Sequence, residues 1–274
     1  MELDVVDLRD FYRSPLGVVV RRTLGREIRT RWPNVKGQTV VGLGYSAPYI
    51  GTFRSEARRV AALMPDSLGA IVWPSNGPVL TALVKDCQLP LADNAIDRLL
   101  VTHGLETADR PAALLREIWR VLAPEGSALL VVPNRRGVWA RIDATPFGHG
   151  RPYSRSQLER LLSDGLLTPS GWSTALHQLP IGNRLVLRSA GAWERVGRQC
   201  WPAFGGIILV EARKEVMAAV GGKRVPARAV GELITTLRRD PGRSPPSIPP
   251  STSALALPLE QEHRFLAEEI LQAP

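Results

Sequence analysis

Between residues 39 and 213, short runs rich in valine, leucine and isoleucine alternate with amphipathic segments, and this alternation narrows the possible folds more than any other feature of the chain. TVVGLG (39–44) reads as a buried strand entering a glycine turn. Residues 54–64 read as a helix with Phe53, Ala57, Val60 and Ala61 on its inner side. LGAIVW (68–73) reads as a second strand stopped by Pro74, 81–85 as a weaker strand, and DRLLVTHG (97–104) as a further one. Asp109 is placed to cap a helix over 110–122, whose Leu114, Leu115, Ile118 and Leu122 face inward. SALLVVP (127–133) and GGIILVEA (205–212) complete the strands, and Ser154 with Gln157 forms a capping-box pattern between them. Strands alternating with helices predict an α/β fold, a mostly parallel sheet covered on both faces. Such sheets bind ligands beyond the carboxyl ends of their strands, which here means the loops after Gly44, Trp73, Lys85 and Thr102.

The two ends differ from this core. Residues 15–31 predict an amphipathic helix that starts at Pro15, buries Leu16, Val20, Leu24 and Ile28, and ends at Trp32-Pro33. The net charge is +9, and it is concentrated at the ends: residues 9–31 carry seven arginines against two acids, and 213–243 eight Lys/Arg against three acids. These blocks are either solvated faces or contacts for an acidic partner. No aromatic residues interleave with the second block, which weighs against nucleic acid. Six prolines and four serines between 241 and 258 predict a disordered tail, with a short helix at 259–272. The expected organisation is a basic helical segment (1–37), the α/β domain (38–213), a basic helical extension (214–240) and the tail (241–274). The N-terminal MELDVVDLRD lacks a signal-peptide pattern, and no run approaches the roughly 20 apolar residues of a membrane span. Cys87 and Cys200 suggest neither a disulfide framework nor a zinc cluster, and the histidines 103, 149, 177 and 263 have no metal-binding spacing. The expectation is a cytoplasmic protein without a metal.

LPLADNAIDRLLVTHGLE (89–106) resembles the signature segment of the methyltransferase type 11 group of class I S-adenosylmethionine-dependent methyltransferases. LLREIWRVLAPEGSALLVVPN (114–134) is similar to the helix, turn and fifth strand that follow in that family, and PYSRSQLERLLSDGL (152–166) to its next helix. FYRSPLG (11–17) and GLGYSAPYIG (42–51) resemble a bacterial subgroup of methyltransferase-domain proteins. The resemblance implies a Rossmann-like sheet of seven strands with one antiparallel strand near 205–212. It also implies S-adenosylmethionine as cofactor and a small-molecule or lipid-like acceptor.

By that resemblance the cofactor would lie against Gly42, Gly44, Tyr45, Ser46, Trp73, Pro74, Asp86, Cys87 and His103. The family ends its first strand with an acid followed by x-Gly-x-Gly. Here Gly42 stands at the acid's position and Gly44 at the first glycine, while Tyr45, Ser46 and Pro48 replace the rest. The family's acid after the second strand is replaced by Trp73-Pro74, so Trp73 either stacks on adenine or packs at the strand end. Asp86-Cys87 falls where the family contacts the adenine amino group. His103 is either a general base near the methyl group or a residue lining the pocket. His149, between two glycines, either contacts the acceptor or lies in a plain crossover. Two functions follow: a methyltransferase, or a non-catalytic module of the same fold that binds a protein partner through its basic ends or its tail.

Overall fold

The computed structural model describes residues 3–214. The expected extension beyond Lys214 and the tail lie outside them. Seven strands form one sheet in the order β3-β2-β1-β4-β5-β7-β6. They are β1 (Thr39–Gly44), β2 (Arg59–Pro65), β3 (Thr81–Val84), β4 (Ile96–Thr102), β5 (Leu122–Pro133), β6 (Leu167–Ala175) and β7 (Ile207–Lys214). The first five run parallel, and β7 is antiparallel to both β5 and β6. This is the mostly parallel sheet expected, with its late antiparallel strand. The strand number and the late antiparallel strand are those that the methyltransferase resemblance implies.

Alternation along the central strands divides the core between two faces. Val40, Leu100, Leu129 and Leu209 point to one, and Val41, Leu99, Leu130 and Val210 to the other. The second face is covered by α4 (Pro111–Val121) and α5 (Arg155–Asp164), the latter opened by the Ser154–Gln157 capping box. The first face is covered by α1 (Val5–Arg13), α2 (Pro15–Arg31) and the short α3 (Ala47–Ile50). Val5, Leu8 and Tyr12 of α1 and Val20, Leu24 and Ile28 of α2 are buried in the same cluster as the strands, so the N-terminal segment shares the domain's core. Trp32, just past α2, donates its indole N–H to Glu211 on β7 at 3.1 Å. Ser127 on β5 donates to the same carboxylate oxygen, also at 3.1 Å.

Several expected elements are displaced. The segment 54–64 is not a helix: after a 3-10 turn at Gly51–Phe53, residues from Arg59 form β2 beside β1. Val60 to Met64 is a continuous apolar run whose period fits either structure, and pairing with β1 overrides the helical preference of its alanines, leucine and methionine. Residues 68–73 form no strand but belong to the loop between β2 and β3, where Val72 is 73% exposed. Asp109 does not cap α4, whose N-cap is Arg110 without a side-chain bond. β6, interrupted by a register shift between Pro169 and Gly171, has no clear alternation and was not foreseen, and neither was α6 (Arg184–Cys200), although that helix is amphipathic.

The corner between α1 and α2 is tight. Ser14 caps both helices, and a Cβ at Gly17 would lie 1.9 Å from the Phe11 carbonyl oxygen. Gly17→Ala is expected to destabilise the domain by about 1–3 kcal/mol through overpacking. Gly25→Ala, on the same helix with nothing within 4 Å of the added carbon, is expected to stabilise by roughly 0.5–1 kcal/mol. Urea denaturation of the two variants measures both.

Candidate functional site

The site is built where β1 and β4 end side by side. Gly44 has φ +77°, and a Cβ there would lie 2.2 Å from the Thr102 carbonyl oxygen, so this position admits only glycine. The next amide, of Tyr45, donates to that same oxygen at 2.8 Å and draws the turn onto β4. The Ser46 carbonyl then receives the amides of Tyr49 and Ile50 and opens α3. The Ser46 side chain folds back over β1, and a Cβ on Gly42 would lie 1.8 Å from its Oγ. Any side chain at 42 would therefore collide with serine at 46. The missing acid at one position and the missing glycine at the other are one structural change.

Above this turn sits a buried aromatic cluster anchored by α1. Tyr12 stacks on Tyr45 at 5.5 Å between ring centroids and meets Tyr49 edge-on at 5.9 Å. Phe147 lies 4.9 Å from the His103 ring and 5.7 Å from that of Trp139. A polar chain runs through the cluster. The Tyr49 hydroxyl donates to the Tyr12 hydroxyl at 3.0 Å, and Tyr12 Oη lies 2.9 Å from His103 Nε2. His103 Nδ1 lies 3.3 Å from Glu106 Oε1, with both side chains 1% exposed. Since Tyr49 supplies the proton that Tyr12 accepts, Tyr12 donates its own to Nε2, and the network places the imidazole proton on Nδ1, facing Glu106. Burial drives the Tyr12 phenol well above its usual range and Tyr49 upward too, so both remain neutral donors.

His103 is held at φ +51°, a left-handed conformation costly for a residue with a side chain. Five buried polar atoms around it have no hydrogen-bond partner among the described residues: Ser46 Oγ, Thr102 Oγ1, His103 Nδ1 and both Glu106 carboxylate oxygens. Such orphans and strained backbone gather at functional sites.

The other end of the crevice lies past β2 and β3. Because β2 ends at Pro65, the residue that follows it is Asp66, whose amide donates to the Val84 carbonyl of β3 at 2.9 Å. The expectation that no acid follows the second strand is thus corrected. The strand expected at 68–73 ends eight residues past the true end at Pro65, and the Pro65-Asp66 step after an apolar run is the signal for it. Asp66 is exposed, and Asp86 is half-buried just past β3 with Oδ1 unpartnered. Burial, with the nearby charges of Asp66 and Asp109, pushes the Asp86 carboxyl up to about 6. Cys87 follows, also half-buried.

Trp73 and Pro74 do not stand at a strand end. They occupy the long loop after β2, joined by a cis peptide bond. The Trp73 ring packs against Gly51 and lies 5.9 Å from the Arg54 guanidinium, while its carbonyl receives Leu80 N–H at 2.7 Å. Gly42, Gly44, Tyr45, Ser46 and His103 are thus brought together at β1 and β4, whereas Asp86 and Cys87 sit beyond β3. His149 is spent locally, bonded to the Asp143 carbonyl. Tyr12, Asp66 and Phe147 are the additions from structure.

Residues 25–130 match the methyltransferase domain family of type 11. A ubiquinone/menaquinone biosynthesis C-methyltransferase from Rubrivivax gelatinosus is 32% identical over 108 residues, which are 38% of this chain and 43% of that protein. The chain thus spans less than half the length of this curated relative. An S-adenosylmethionine-dependent methyltransferase from Thermotoga maritima superposes with TM-score 0.56 at 13% identity, covering 77% of this chain and 96% of that one. A second from Mesorhizobium loti gives 0.51 at 13% identity, with 69% and 96% covered.

S-adenosylmethionine is the cofactor these comparisons support, and its two ends meet different surroundings here. The nucleoside end needs acceptors for ribose hydroxyls and an adenine amino group. Asp66 and Asp86, whose Oδ1 has no partner among the described residues, lie past adjacent strands and are acceptors of that kind. The amino-acid end needs open space above the β1 turn, and in this conformation Ser46, Tyr45 and Tyr12 fill it, each 3% exposed or less. Lifting all of α1 would bare Val5, Leu8 and Tyr12 at roughly 1.5–3 kcal/mol each, which rivals the 5–15 kcal/mol or so that holds a typical domain together. The last turn, which carries Tyr12, is tied to α2 through Ser14 and Gly17, so moving the Tyr12 ring away also moves that corner.

Two outcomes follow. Tyr12→Phe keeps the ring but strands His103 Nε2 and the Tyr49 hydroxyl, and is expected to cost about 1–3 kcal/mol in chemical denaturation. Asp86 has a raised carboxyl, so its effect on folding is absent at pH 3 and turns unfavourable as pH climbs from about 4 towards 6. Asp86→Asn should match the parent at pH 3 and exceed it above pH 6, by about 1 kcal/mol once solvent screening on the open side is allowed for. Thermal melts across that range read the difference.

Proposed function

We propose that the chain is an S-adenosylmethionine-dependent methyltransferase acting on a small-molecule acceptor, with the nucleoside end of the cofactor held by Asp66 and Asp86. The observation that carries this reading is the pair of carboxylates past β2 and β3, one of them raised to about 6 with an unpartnered oxygen. Acids crowded together, with no ion pair to Asp66 or Asp86 among the described residues, destabilise the fold, and donors from a bound nucleoside would relieve that. Tyr12 closes the amino-acid end, and its departure with the last turn of α1 is the opening step. Gly44 then offers the close approach of backbone that the family's glycines provide.

A second reading rests on the same turn. If Tyr45 and Ser46 stay where they are, the chain is a non-catalytic module of this fold, and its basic α2 presents the binding surface. Arg21, Arg22 and Arg26 line a concave surface there with Pro48 and Thr52, and make no ion pair among the described residues.

Calorimetric titration with S-adenosylhomocysteine separates the two. The methyltransferase reading expects saturable binding by the parent chain. Asp66→Ala and Asp86→Ala should each weaken it about tenfold or more, the value of a hydrogen bond to a charged group. Absence of heat at millimolar ligand, in both the parent and Tyr12→Ala, would leave the module.

A further inference from the structure

We infer that the end of α6 and the turn after it form a peripheral contact for an anionic lipid surface. This goes beyond the methyltransferase reading and does not depend on it. A helix packed on a domain normally buries its large apolar side chains and turns its charge to water. α6 does the reverse. It buries Ala190, Glu194 and Gly197, a strip at i, i+4 and i+7. Glu194 ties that strip down by accepting the amides of Leu176 at 3.0 Å and His177 at 2.9 Å. A side chain at Gly197 would collide with His177, so the helix lies directly on the chain there. The large residues stay outside: Trp193 is 46% exposed and Val196 47%, and beyond them Trp201 is 38% exposed and Phe204 60%.

Charge is sorted around the same helix. At 3.6 residues per turn, Trp193 and Val196 fall on one side of the buried strip, and Arg184, Arg188, Arg195 and Arg198 on the other. Arg198 reaches Glu27 on α2 at 2.6 Å, while Arg184, Arg188 and Arg195 make no ion pair among the described residues. Aromatic residues on one flank and arginines on the opposite one make the pattern of a helix lying in a bilayer interface. The rings enter among the headgroups, and the basic groups are drawn to anionic lipid. No helix of the described residues is long and apolar enough to cross a membrane, so the contact is with one leaflet.

Area and charge favour a bilayer over a second copy of the chain. Three aromatic side chains near half exposure, with Val196, offer roughly 300–400 Å². That is about half of the ~800 Å² that each partner of a stable protein interface gives up. Two copies meeting here would also bring together helices that each carry four arginines against the single, buried Glu194. An anionic bilayer reverses that sign, and Arg21, Arg22 and Arg26 of α2, the helix that Arg198 reaches, add to the attraction.

The experiment sediments the full chain with vesicles of phosphatidylcholine alone, or mixed in equal parts with phosphatidylglycerol. The parent is expected to bind the mixed vesicles about tenfold or more tightly than the neutral ones. Its tryptophan emission should be quenched when the acyl chains carry bromine. Trp193→Ser/Trp201→Ser/Phe204→Ser should weaken binding to the mixed vesicles about tenfold or more and lose the quenching. Arg184→Gln/Arg188→Gln/Arg195→Gln should weaken binding to the mixed vesicles while leaving the weak binding to neutral ones unchanged. If the aromatic variant fails to fold, Trp193→Gln/Val196→Gln carries the same comparison, and quenching of the parent stands by itself. No binding of the parent to mixed vesicles overturns the inference. So does binding that the aromatic variant retains in full and without quenching, which is adsorption through basic segments elsewhere in the chain. Self-association of the parent that the aromatic variant abolishes, with no vesicle binding, would give the face to a second copy and overturn it as well.

Discussion

The upper end of the molecule depends on one backbone contact, the bond from the Tyr45 amide to the Thr102 carbonyl. It extends the pairing of β1 with β4 by one step past Gly44 and leaves no room for a side chain at 44. Once the turn lies flat on β4, Ser46 must cover Gly42 and Tyr45 must point towards α1. Tyr12 then has a face to stack on. The aromatic cluster, the position of α1 and the closure of the crevice all follow from where that amide finds its acceptor.

Two halves of the crevice consequently obey different physics. Beyond β2 and β3 the groups are acids with spare acceptor capacity, part of it open to water, and they repel one another. Above β1 and β4 the groups are aromatic and buried, and the polar atoms among them form a chain that ends on an unpartnered carboxylate. The first half presents open acceptor atoms. The second is already filled by the chain's own residues, and its unsatisfied atoms lie along the wall rather than in open solvent. A domain can hold such a wall because the surrounding core, with Leu43, Ile50 and Phe53 fully buried, over-determines the backbone at His103.

Much of the fold was legible because local preference and tertiary environment agreed. The β1, β4 and β5 segments are apolar, bounded by turn residues and buried on both faces. α2 shows its stripe, and α5 carries its capping box in the sequence itself. The misreadings arose where the two disagreed. RVAALMP has helix-forming residues in a strand, and IVW has strand-forming residues in a loop. The shift between them carried the second acid out of view. Asp66 was readable as a residue but not as the acid that follows the second strand, since that depends on where β2 stops.

The sequence by itself determined the class of fold, the order of most strands and the unusual β1 turn, because these rest on periodicity, turn chemistry and a glycine that the local backbone requires. Only the tertiary structure decided what that turn does. Tyr12 and His103 are separated by ninety-one positions, and no local preference links them. Their meeting results from α1 folding back across the sheet at Ser14, and from Gly17 allowing two helices to touch backbone to backbone. Burial then converts a phenol, an imidazole and a carboxylate from ordinary surface groups into one connected network.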